Sequence, residues 1–357
     1  VQGVVLEGGA GRPSRLMLAV HHLVVDAVSW RILLEDLAAV YAKLAAGEAV
    51  VLPPKTTSFQ AWARGLEALS RSEALAAQRA WWLERPWREA PRLPVDLAGG
   101  ANTEATASVV RVTLDAEHTR ALLHDVPKAW HTQPQEPLLT ALAQALTAWS
   151  GGAVALVDVE GHGREDVLPG VDVSRTVGWF TRVFPALLDL RATKTPGEAL
   201  RAVKEGLRAV PSHGMGWGLL RYVAKDAALA ALPLAEVGFN HLGQVDGAVG
   251  AGAPFVLAPE GEALRQRAPS ARRPYLLDVT SAVRDGRLEA IWTFSEAVHR
   301  RETVSRLAED FLARLRELVE ASRAPEAGGH SPSDFPLAKV KQAQLDKLAA
   351  RFGKKTR

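Results

Sequence analysis

The sequence predicts a mixed α/β protein folded as two lobes. The chain has 357 residues, more than one domain usually contains, and its 47% hydrophobic and 23% charged residues are ordinary globular usage. Segments with strand and helix periodicity alternate along it. Residues 85–102 hold several prolines and a glycine pair, which favours a crossover between lobes there. We therefore expect a first lobe with its crossover over 1–107, a second lobe over 108–323, and a linker with a short helix over 324–357.

The first lobe is predicted to begin with a strand, a loop and a helix. Arg15–Val20 is a short apolar run that suits a buried strand, and the helix that follows ends at Gly47. Thr57 with Gln60 forms a capping box that opens another helix. A further helix is predicted over 73–83.

The second lobe carries clearer signals. Asp115 can cap a helix, and Thr195 with Glu198 forms a capping box. The dipeptide Asp285-Gly286, within alternating residues, is typical of a hairpin turn. The other predicted elements are strands over 108–114 and 153–160 and helices over 116–123, 137–149, 195–210 and 304–319.

Composition and charge exclude several kinds of protein. The sequence contains no cysteine, which excludes disulfides, thiolate zinc sites and a cysteine nucleophile. Lys and Arg number 43 against 40 Asp and Glu, so charge gives no support for nucleic-acid binding. The apolar runs are too short to span a membrane, and the N-terminus lacks both a signal-peptide pattern and an initial Met. We expect a soluble, cytoplasmic chain that is a piece of a longer one.

The segment HHLVVDAVSW places three polar side chains, His21, His22 and Asp26, in an apolar strand–helix junction. One interpretation is structural: Asp26 caps the helix and one histidine bonds a backbone carbonyl. A metal site is less favoured, because no third or fourth ligand lies at a characteristic spacing. The third interpretation is acid–base work by one histidine, whose ordinary pKa suits proton transfer at neutral pH.

The segment EGHGRE follows the strand predicted over 153–160. It can be a tight turn in which Gly161 and Gly163 supply unusual dihedral angles and the charges are solvated. It can also be a site, because Glu160 ends the strand and a buried carboxylate can act as a general base. The two glycines would then leave room for a ligand.

Three other segments are weaker candidates. Trp179 and Phe180 are expected in a buried aromatic strand. The glycines of 211–222 suggest a mobile loop that opens a helix. Asn240 could donate an amide hydrogen bond to a reacting group.

Taken in order and spacing, these segments resemble the signature motifs of nonribosomal peptide synthetase epimerization domains, which belong to the condensation-domain superfamily. The resemblance runs from about Val4 to Leu348. Condensation domains share the double histidine but typically continue with Asp-Gly, whereas this chain has Asp26-Ala27. The motifs that carry the resemblance are HHLVVDAVSW, EGHGRE, RTVGWFTRVFP, PSHGMGWGLLRY and FNHLGQVD.

The resemblance implies a chloramphenicol-acetyltransferase-like fold with a tunnel between two lobes, the first of them incomplete. It implies that an upstream peptidyl carrier protein, with neighbouring synthetase modules, presents an aminoacyl or peptidyl thioester on phosphopantetheine. The reaction would be inversion of the α-carbon from L to D. The domain itself would bind no cofactor and no metal, and no nucleic acid or membrane would take part.

The same resemblance assigns roles to individual residues. It makes His22 and Glu160 the catalytic pair. It also implies that the absent N-terminal part holds the arginine that pairs with Asp26, and that the isolated chain exposes apolar surface. Two departures are His241 and Trp217, which stand where the family usually has tyrosine. The supporting residues would be His21, Asp26, Ser29, Asn240 and His241, and the substrate channel would be lined by Gly161, Gly163, Trp179, Gly214 and Gly216.

The chemistry of inversion is compatible with that pair. A thioester acidifies the adjacent C–H, yet an ordinary side-chain base remains too weak unless the enolate is stabilised. The candidate donors are protonated His22, the backbone N–H groups at the start of the helix near Ser29, and the Asn240 amide. Removal of the α-proton from one face of the carbon and return of a proton to the other face require two groups. His22 and Glu160 should therefore converge on one cavity.

Two alternatives remain open at this point. A condensation domain would form amide bonds and would require His22 but not Glu160. A decayed fragment would only dock a carrier protein.

Overall fold

The computed structural model describes residues 1–246, 254–256, 258, 267–324, 328–335, 337–338, 340–345 and 347. The chain forms two compact units, each built from separated segments. The first unit contains residues 1–76 and 161–182, and the second contains 77–160, 183–246 and the described residues from 267 onward. The predicted partition at residues 107 and 323 stays a prediction.

In its described residues, the first unit contains a two-stranded antiparallel sheet and three α-helices. Gln2 pairs with Ala19 and Leu6 with Arg15 across the sheet. Both strands are largely exposed, so the predicted burial of the Arg15 strand is wrong. An apolar run predicts a strand but does not determine what packs on it. The elements are strands β1 (Gln2–Leu6) and β2 (Arg15–Ala19) and helices α1 (Ala27–Ala45), α2 (Phe59–Leu69) and α3 (Glu73–Ala76).

Two helix predictions in this region need correction. The cap of α2 is Ser58, whose side chain accepts from the Ala61 N–H at 3.1 Å, whereas the Thr57 hydroxyl accepts from the Asp172 N–H. The helix predicted over 73–83 is broken at Ala77, between α3 and α4 (Gln78–Leu83). The break falls where the chain passes from the first unit to the second, a position that helix propensity does not register.

The second unit is built on a six-stranded mixed sheet of order β3-β8-β7-β6-β4-β5. β8 is antiparallel to both β3 and β7, while β6 is parallel to β7 and β4. The hairpin at Asp285-Gly286 is confirmed, with φ of 49° and 70° at its two residues. The strands are β3 (Ala107–Leu114), β4 (Val154–Gly161), β5 (Arg182–Asp189), β6 (Val237–Gln244), β7 (Leu277–Arg284) and β8 (Arg287–Ser295).

Helices cover one face of this sheet. Side chains of alternate residues, such as Val157, Phe239 and Val279, are buried there, and α10 packs on β3, β8, α5 and α6. The opposite face carries polar side chains, including those of Asp158 and Asn240. The helices of this unit, besides α4, are α5 (Ala116–Trp130), α6 (Gln135–Ser150), α7 (Pro196–Arg208), α8 (Met215–Gly218), α9 (Ala227–Ala230) and α10 (Arg301–Arg323).

Other predictions have mixed outcomes. The capping box of Thr195 and Glu198 is confirmed at the start of α7. The segment expected as a loop that opens a helix begins with a 3₁₀ turn whose backbone is left-handed, with φ of 45°, 50° and 88° at Ser212, His213 and Gly214. α8 and a π turn follow and reach Val223, and six residues between Gly214 and Leu220 are buried. Residues 342–345 and 347 are helical, while the rest of the predicted C-terminal helix lies outside the described residues. No helix in the described part of the chain is both long and apolar enough to cross a bilayer.

Candidate functional site

The first unit contains a buried ion pair between Asp26 and Arg164. Asp26 is 4% exposed and caps α1 by accepting from the Ser29 N–H at 2.7 Å. Its other oxygen, Oδ2, accepts from the Phe180 N–H at 3.1 Å. Arg164 donates to the capping oxygen, Oδ1, at 3.2 Å and to Oδ2 at 3.4 Å. Each oxygen of this buried carboxylate therefore has hydrogen-bond partners, and its charge is paired with a cation. The interpretation of Asp26 as the cap of the helix is therefore confirmed, and its supporting role at a reaction site stays a prediction.

Arg164 holds several segments of this unit together. It donates to the carbonyl oxygens of Val173 and Thr176 at 2.6 and 2.8 Å, and its guanidinium lies 4.0 Å from the centre of the Phe180 ring. The prediction that the partner of Asp26 lies in an absent N-terminal part is wrong, because Arg164 of EGHGRE is that partner. A buried aspartate needs a cation, and the sequence signal was an arginine within the second motif.

Ser29 ties the double-histidine segment to the segment around Gly178. Its hydroxyl donates to the Gly178 carbonyl at 2.9 Å and accepts from the Gly178 N–H and from Arg164 at 3.1 Å each. Its own N–H bonds Asp26, and the Trp30 N–H bonds the Asp26 carbonyl. These two N–H groups at the start of α1 are therefore not the enolate donors that the sequence suggested.

The two histidines occupy different environments. His21 caps a 3₁₀ turn, and its Nδ1 accepts from the Leu23 N–H at 3.1 Å. His22 is exposed, and its ring meets that of Trp179 edge to face at a centroid distance of 5.6 Å. Trp179 is 42% exposed and lies outside the strands, so the predicted buried aromatic strand is wrong for it, although Phe180 is buried. The Phe180 N–H bonds the side chain of Asp26 rather than a neighbouring strand.

The backbone requires glycine at position 163 of EGHGRE, whereas Gly161 lies against the end of a flexible side chain. Gly163 has φ of +67°, and a Cβ there would overlap the Phe180 carbonyl. A Cβ at Gly161 would lie 2.7 Å from the guanidinium carbon of Arg182. Protein atoms therefore fill the space that the sequence left for a ligand next to these two α-carbons.

Gly214 and Gly216 are both buried in the second unit. Gly214 has φ of +88°, and a Cβ there would overlap the Phe184 ring. Their predicted place on a substrate channel, with that of Gly161, Gly163 and Trp179, stays a prediction.

In the second unit, Glu160 is held by a neighbouring strand. Residues 159 of β4 and 239 of β6 are paired, which brings Glu160 beside Asn240. The Asn240 amide donates to Glu160 Oε2 at 2.7 Å, and Gln135 donates to the Glu160 carbonyl at 3.4 Å. The Asn240 amide thus uses one of its two N–H groups on this carboxylate, and its predicted role as an enolate donor stays a prediction.

His241 lies against β7. Its Nδ1 is 2.9 Å from the hydroxyl of Ser281, and burial lowers the pKa of the imidazole below its usual value. The ring is therefore neutral at physiological pH and is hydrogen-bonded within the sheet.

A second acid on β4 was missed by the sequence analysis. Asp158 lies two residues before Glu160, and the hydroxyl of Tyr275 donates to it at 3.0 Å. Burial raises the pKa of Asp158 to about 6, although Tyr275 and Arg221 act in the opposite direction. The available signal was the spacing Asp158-x-Glu160, which puts both carboxylates on one face of a strand.

The predicted catalytic pair divides between the units. His22 belongs to the first unit and Glu160 to the second, so their convergence on one cavity stays a prediction. Within the described ranges, no three side chains of the metal-ligating types lie together.

Comparison with known proteins identifies the class. The condensation domain family matches residues 11–339. The chain is 45% identical over 353 residues to one of the linear gramicidin synthase proteins of Brevibacillus parabrevis, covering 97% of this chain and 4% of that protein. It is 36% identical over 362 residues to surfactin synthase subunit 1 of Bacillus subtilis, covering 98% and 10%. The chain thus spans a tenth or less of the length of these two relatives.

Solved structures agree in fold. The epimerization domain from the third module of tyrocidine synthetase B aligns with a TM-score of 0.78 and 32% identity, covering 87% of this chain and 69% of that one. The first condensation domain of the calcium-dependent antibiotic synthetase aligns with a TM-score of 0.64 at 20% identity, covering 92% of this chain and 68% of that one, which is a likeness of fold alone. The predicted α/β class, of chloramphenicol-acetyltransferase type, is therefore confirmed. The chain belongs to the condensation domain family of the nonribosomal peptide synthetases.

Proposed function

We propose that the domain is an epimerase, which inverts the α-carbon of an aminoacyl or peptidyl group from L to D. The substrate is a thioester on the phosphopantetheine arm of a carrier protein, supplied by an upstream carrier domain of the same assembly. The domain uses side chains alone and binds no cofactor of its own. Neighbouring synthetase modules supply the substrate and take the product.

The observation that carries this proposal is the carboxylate of Glu160, held by Asn240 at the end of β4. A fixed carboxylate at a strand end is suited to proton transfer at carbon, whereas amide-bond formation has no use for it. Identity of 32% to a tyrocidine synthetase epimerization domain supports the same function.

The proposed mechanism uses two groups. Glu160 takes the α-proton, the electron pair moves onto the thioester oxygen as an enolate, and a second group returns a proton to the opposite face. His22 is the second group or the enolate stabiliser. Asn240 keeps the carboxylate in one orientation, which reduces the entropy lost when the substrate reaches it.

The first test is exchange at the α-carbon. A carrier protein loaded with an L-aminoacyl thioester is incubated with the chain in D₂O, and the hydrolysed amino acid is analysed by chiral chromatography and mass spectrometry. The wild-type chain should give D-amino acid with one α-deuterium, and Glu160→Gln should reduce exchange at least a hundredfold, as loss of a general base typically does. Glu165→Gln, in the same motif, is the matched control and should retain most of the exchange.

The same assay separates the alternatives. A product that is a peptide, formed when a second loaded carrier is added and insensitive to Glu160→Gln, would identify amide-bond formation. Binding of the carrier without either product would leave only a docking role. Either result would exclude the proposed epimerase.

A further inference from the structure

An exposed tryptophan of the first unit lies against the imidazole of His22. Trp179 is 42% exposed, and its ring meets the His22 ring edge to face at a centroid distance of 5.6 Å. The next residue, Phe180, is 4% exposed. The proposed reaction gives Trp179 no role beyond its predicted place on a substrate channel. The contact with His22 suggests a more specific one.

Buried hydrogen bonds fix the backbone on both sides of Trp179. The Ser29 hydroxyl donates to the Gly178 carbonyl at 2.9 Å and accepts from the Gly178 N–H at 3.1 Å. The Phe180 N–H donates to Asp26 Oδ2 at 3.1 Å. Movement of this segment would leave buried polar groups without partners, which costs free energy. The backbone of Trp179 is therefore held at a fixed place in the first unit.

The backbone of His22 has the same support. His22 begins a 3₁₀ turn that is closed by a hydrogen bond from the Val25 N–H to the His22 carbonyl at 3.4 Å. Val25 and Asp26 are 2% and 4% exposed, so the end of the turn is anchored in the interior. Asp26 thus follows the histidine turn directly and also bonds the segment that carries Trp179. The two rings are carried on backbones that share one buried residue.

The imidazole of His22 is less restrained than its backbone. His22 is exposed, and among the described residues no hydrogen bond holds its ring. An exposed side chain exchanges among its rotamers unless a neighbour packs on it. An edge-to-face aromatic pair favours its own geometry by a factor of about two to ten beyond the burial of area. Trp179 supplies that contact.

We propose that Trp179 is a positioning residue, which holds the His22 imidazole in one orientation for proton transfer or for stabilisation of the enolate. This inference rests on the proposed function, since it concerns the second group of that reaction. Trp179 transfers no proton. It reduces the number of orientations of the imidazole before the substrate arrives. Asp26 and Ser29 act one step further away, because they fix the backbone around Trp179.

The first test observes the ring contact directly by NMR. In protein labelled with ¹³C in histidine, the ring resonance absent from His22→Gln identifies His22. Its ring protons should give cross-relaxation peaks with the Trp179 indole. Trp179→Leu keeps an apolar side chain but removes the ring current, so it should move the His22 resonance. Missing cross-peaks or an unmoved resonance would overturn the inference.

Val177→Ala is the matched control for this measurement. Val177 is 38% exposed and lies in the same segment, but it carries no ring. The substitution removes exposed apolar surface and should leave the His22 resonance in place. A movement as large as that in Trp179→Leu would show a general disturbance of the segment and would also overturn the inference.

Exchange at the α-carbon provides the second readout. Trp179→Leu should lower kcat for α-deuterium exchange by about two- to tenfold and leave KM unchanged, because a freed imidazole is less often in the reactive orientation. Trp179→Phe provides a smaller ring on the same backbone and should recover most of the lost kcat. A raised KM with unchanged kcat would show that Trp179 binds substrate instead. That result, or an equal loss of kcat in both variants, would contradict the positioning role.

Thermal unfolding checks that the variants fold. Because the Trp179 side chain is exposed, Trp179→Leu should unfold at a temperature close to that of the wild type. If it does not fold, Trp179→Phe still decides the matter, since its ring should retain cross-peaks with His22. If the wild-type chain exchanges no α-deuterium, the proposed function fails, while the NMR spectra still decide whether Trp179 holds the His22 ring.

Discussion

At the scale of single residues, several polar side chains of this chain are fixed by one specific partner each. Asn240 holds Glu160, Ser281 lies against His241, and Tyr275 holds Asp158. Each of these partners is far from its residue in sequence or on another strand. The motifs predicted which residue types lie at the site, whereas the hydrogen-bond partner of each residue depended on strand register.

Asp158 should reduce the stability of the folded state at neutral pH. The folded carboxyl, with pKa near 6, holds its proton more tightly than the unfolded one near 3.8. The stability that this proton provides is therefore present below pH 4 and lost as the pH rises to 6. Asp158→Asn should raise the free energy of unfolding by about 1–2 kcal/mol at pH 7 and leave it unchanged at pH 4.

Urea denaturation at the two pH values measures this difference. An equal change at both would show that the effect is packing rather than charge. Since the variant is expected to be more stable, a loss of exchange activity in it could not be attributed to misfolding.

At the scale of elements, Arg164 connects α1 to the segment that follows β4. Arg164→Met leaves Asp26 buried without a cation, which should lower the free energy of unfolding by about 3–5 kcal/mol. Adding Asp26→Asn, which keeps a good helix cap, should restore part of the loss. Arg175→Met is the control, because its partners Glu35 and Asp36 are at the surface, and should cost at most about 1 kcal/mol. Equal losses in the two arginine variants would contradict this account.

The segment after α10 is also anchored by buried charge. Lys204 of α7 is 1% exposed and donates to the Trp130 carbonyl at 2.7 Å and to Asp334 at 2.9 Å. Arg208 donates to Asp334 as well, at 2.9 Å. Residues 332–334 thus belong to the fold of the second unit, in a stretch predicted as a linker.

Removal of Asp334 should therefore cost more than removal of Lys204. Asp334→Ala leaves two cations without this partner and should lower stability by about 3 kcal/mol, whereas Lys204→Met leaves Asp334 paired with Arg208 and should cost less. Thermal unfolding of the two variants measures the order. The reverse order would show that the lysine contributes mainly through Trp130.

At the scale of the whole molecule, the units are discontinuous in sequence. Residues 161–182 belong with 1–76 although more than eighty residues separate them. The Asp26–Arg164 pair and the Ser29–Gly178 bonds account for this arrangement. The predicted consecutive lobes followed composition, which contains no signal for such long-range pairs.

The first unit also exposes apolar side chains on both of its strands. Leu16 and Met17 on β2 are 49% and 43% exposed, and Val5 on β1 is 66% exposed. Whether the side chains of a strand are buried depends on what packs on each face of its sheet. The sequence therefore predicted the strand here but not its burial.

The sequence by itself determined the alternation of helices and strands, the hairpin turn, the capping box of α7 and the family of the chain. These features depend on interactions between residues a few positions apart, or on motifs that are contiguous in sequence. Only the tertiary structure decided that Arg164 pairs with Asp26, that Asn240 bonds Glu160 and that Tyr275 reaches Asp158. The two members of each pair are far apart in sequence. They bond because a polar group buried without a partner loses free energy, and the fold decides which partner lies within reach.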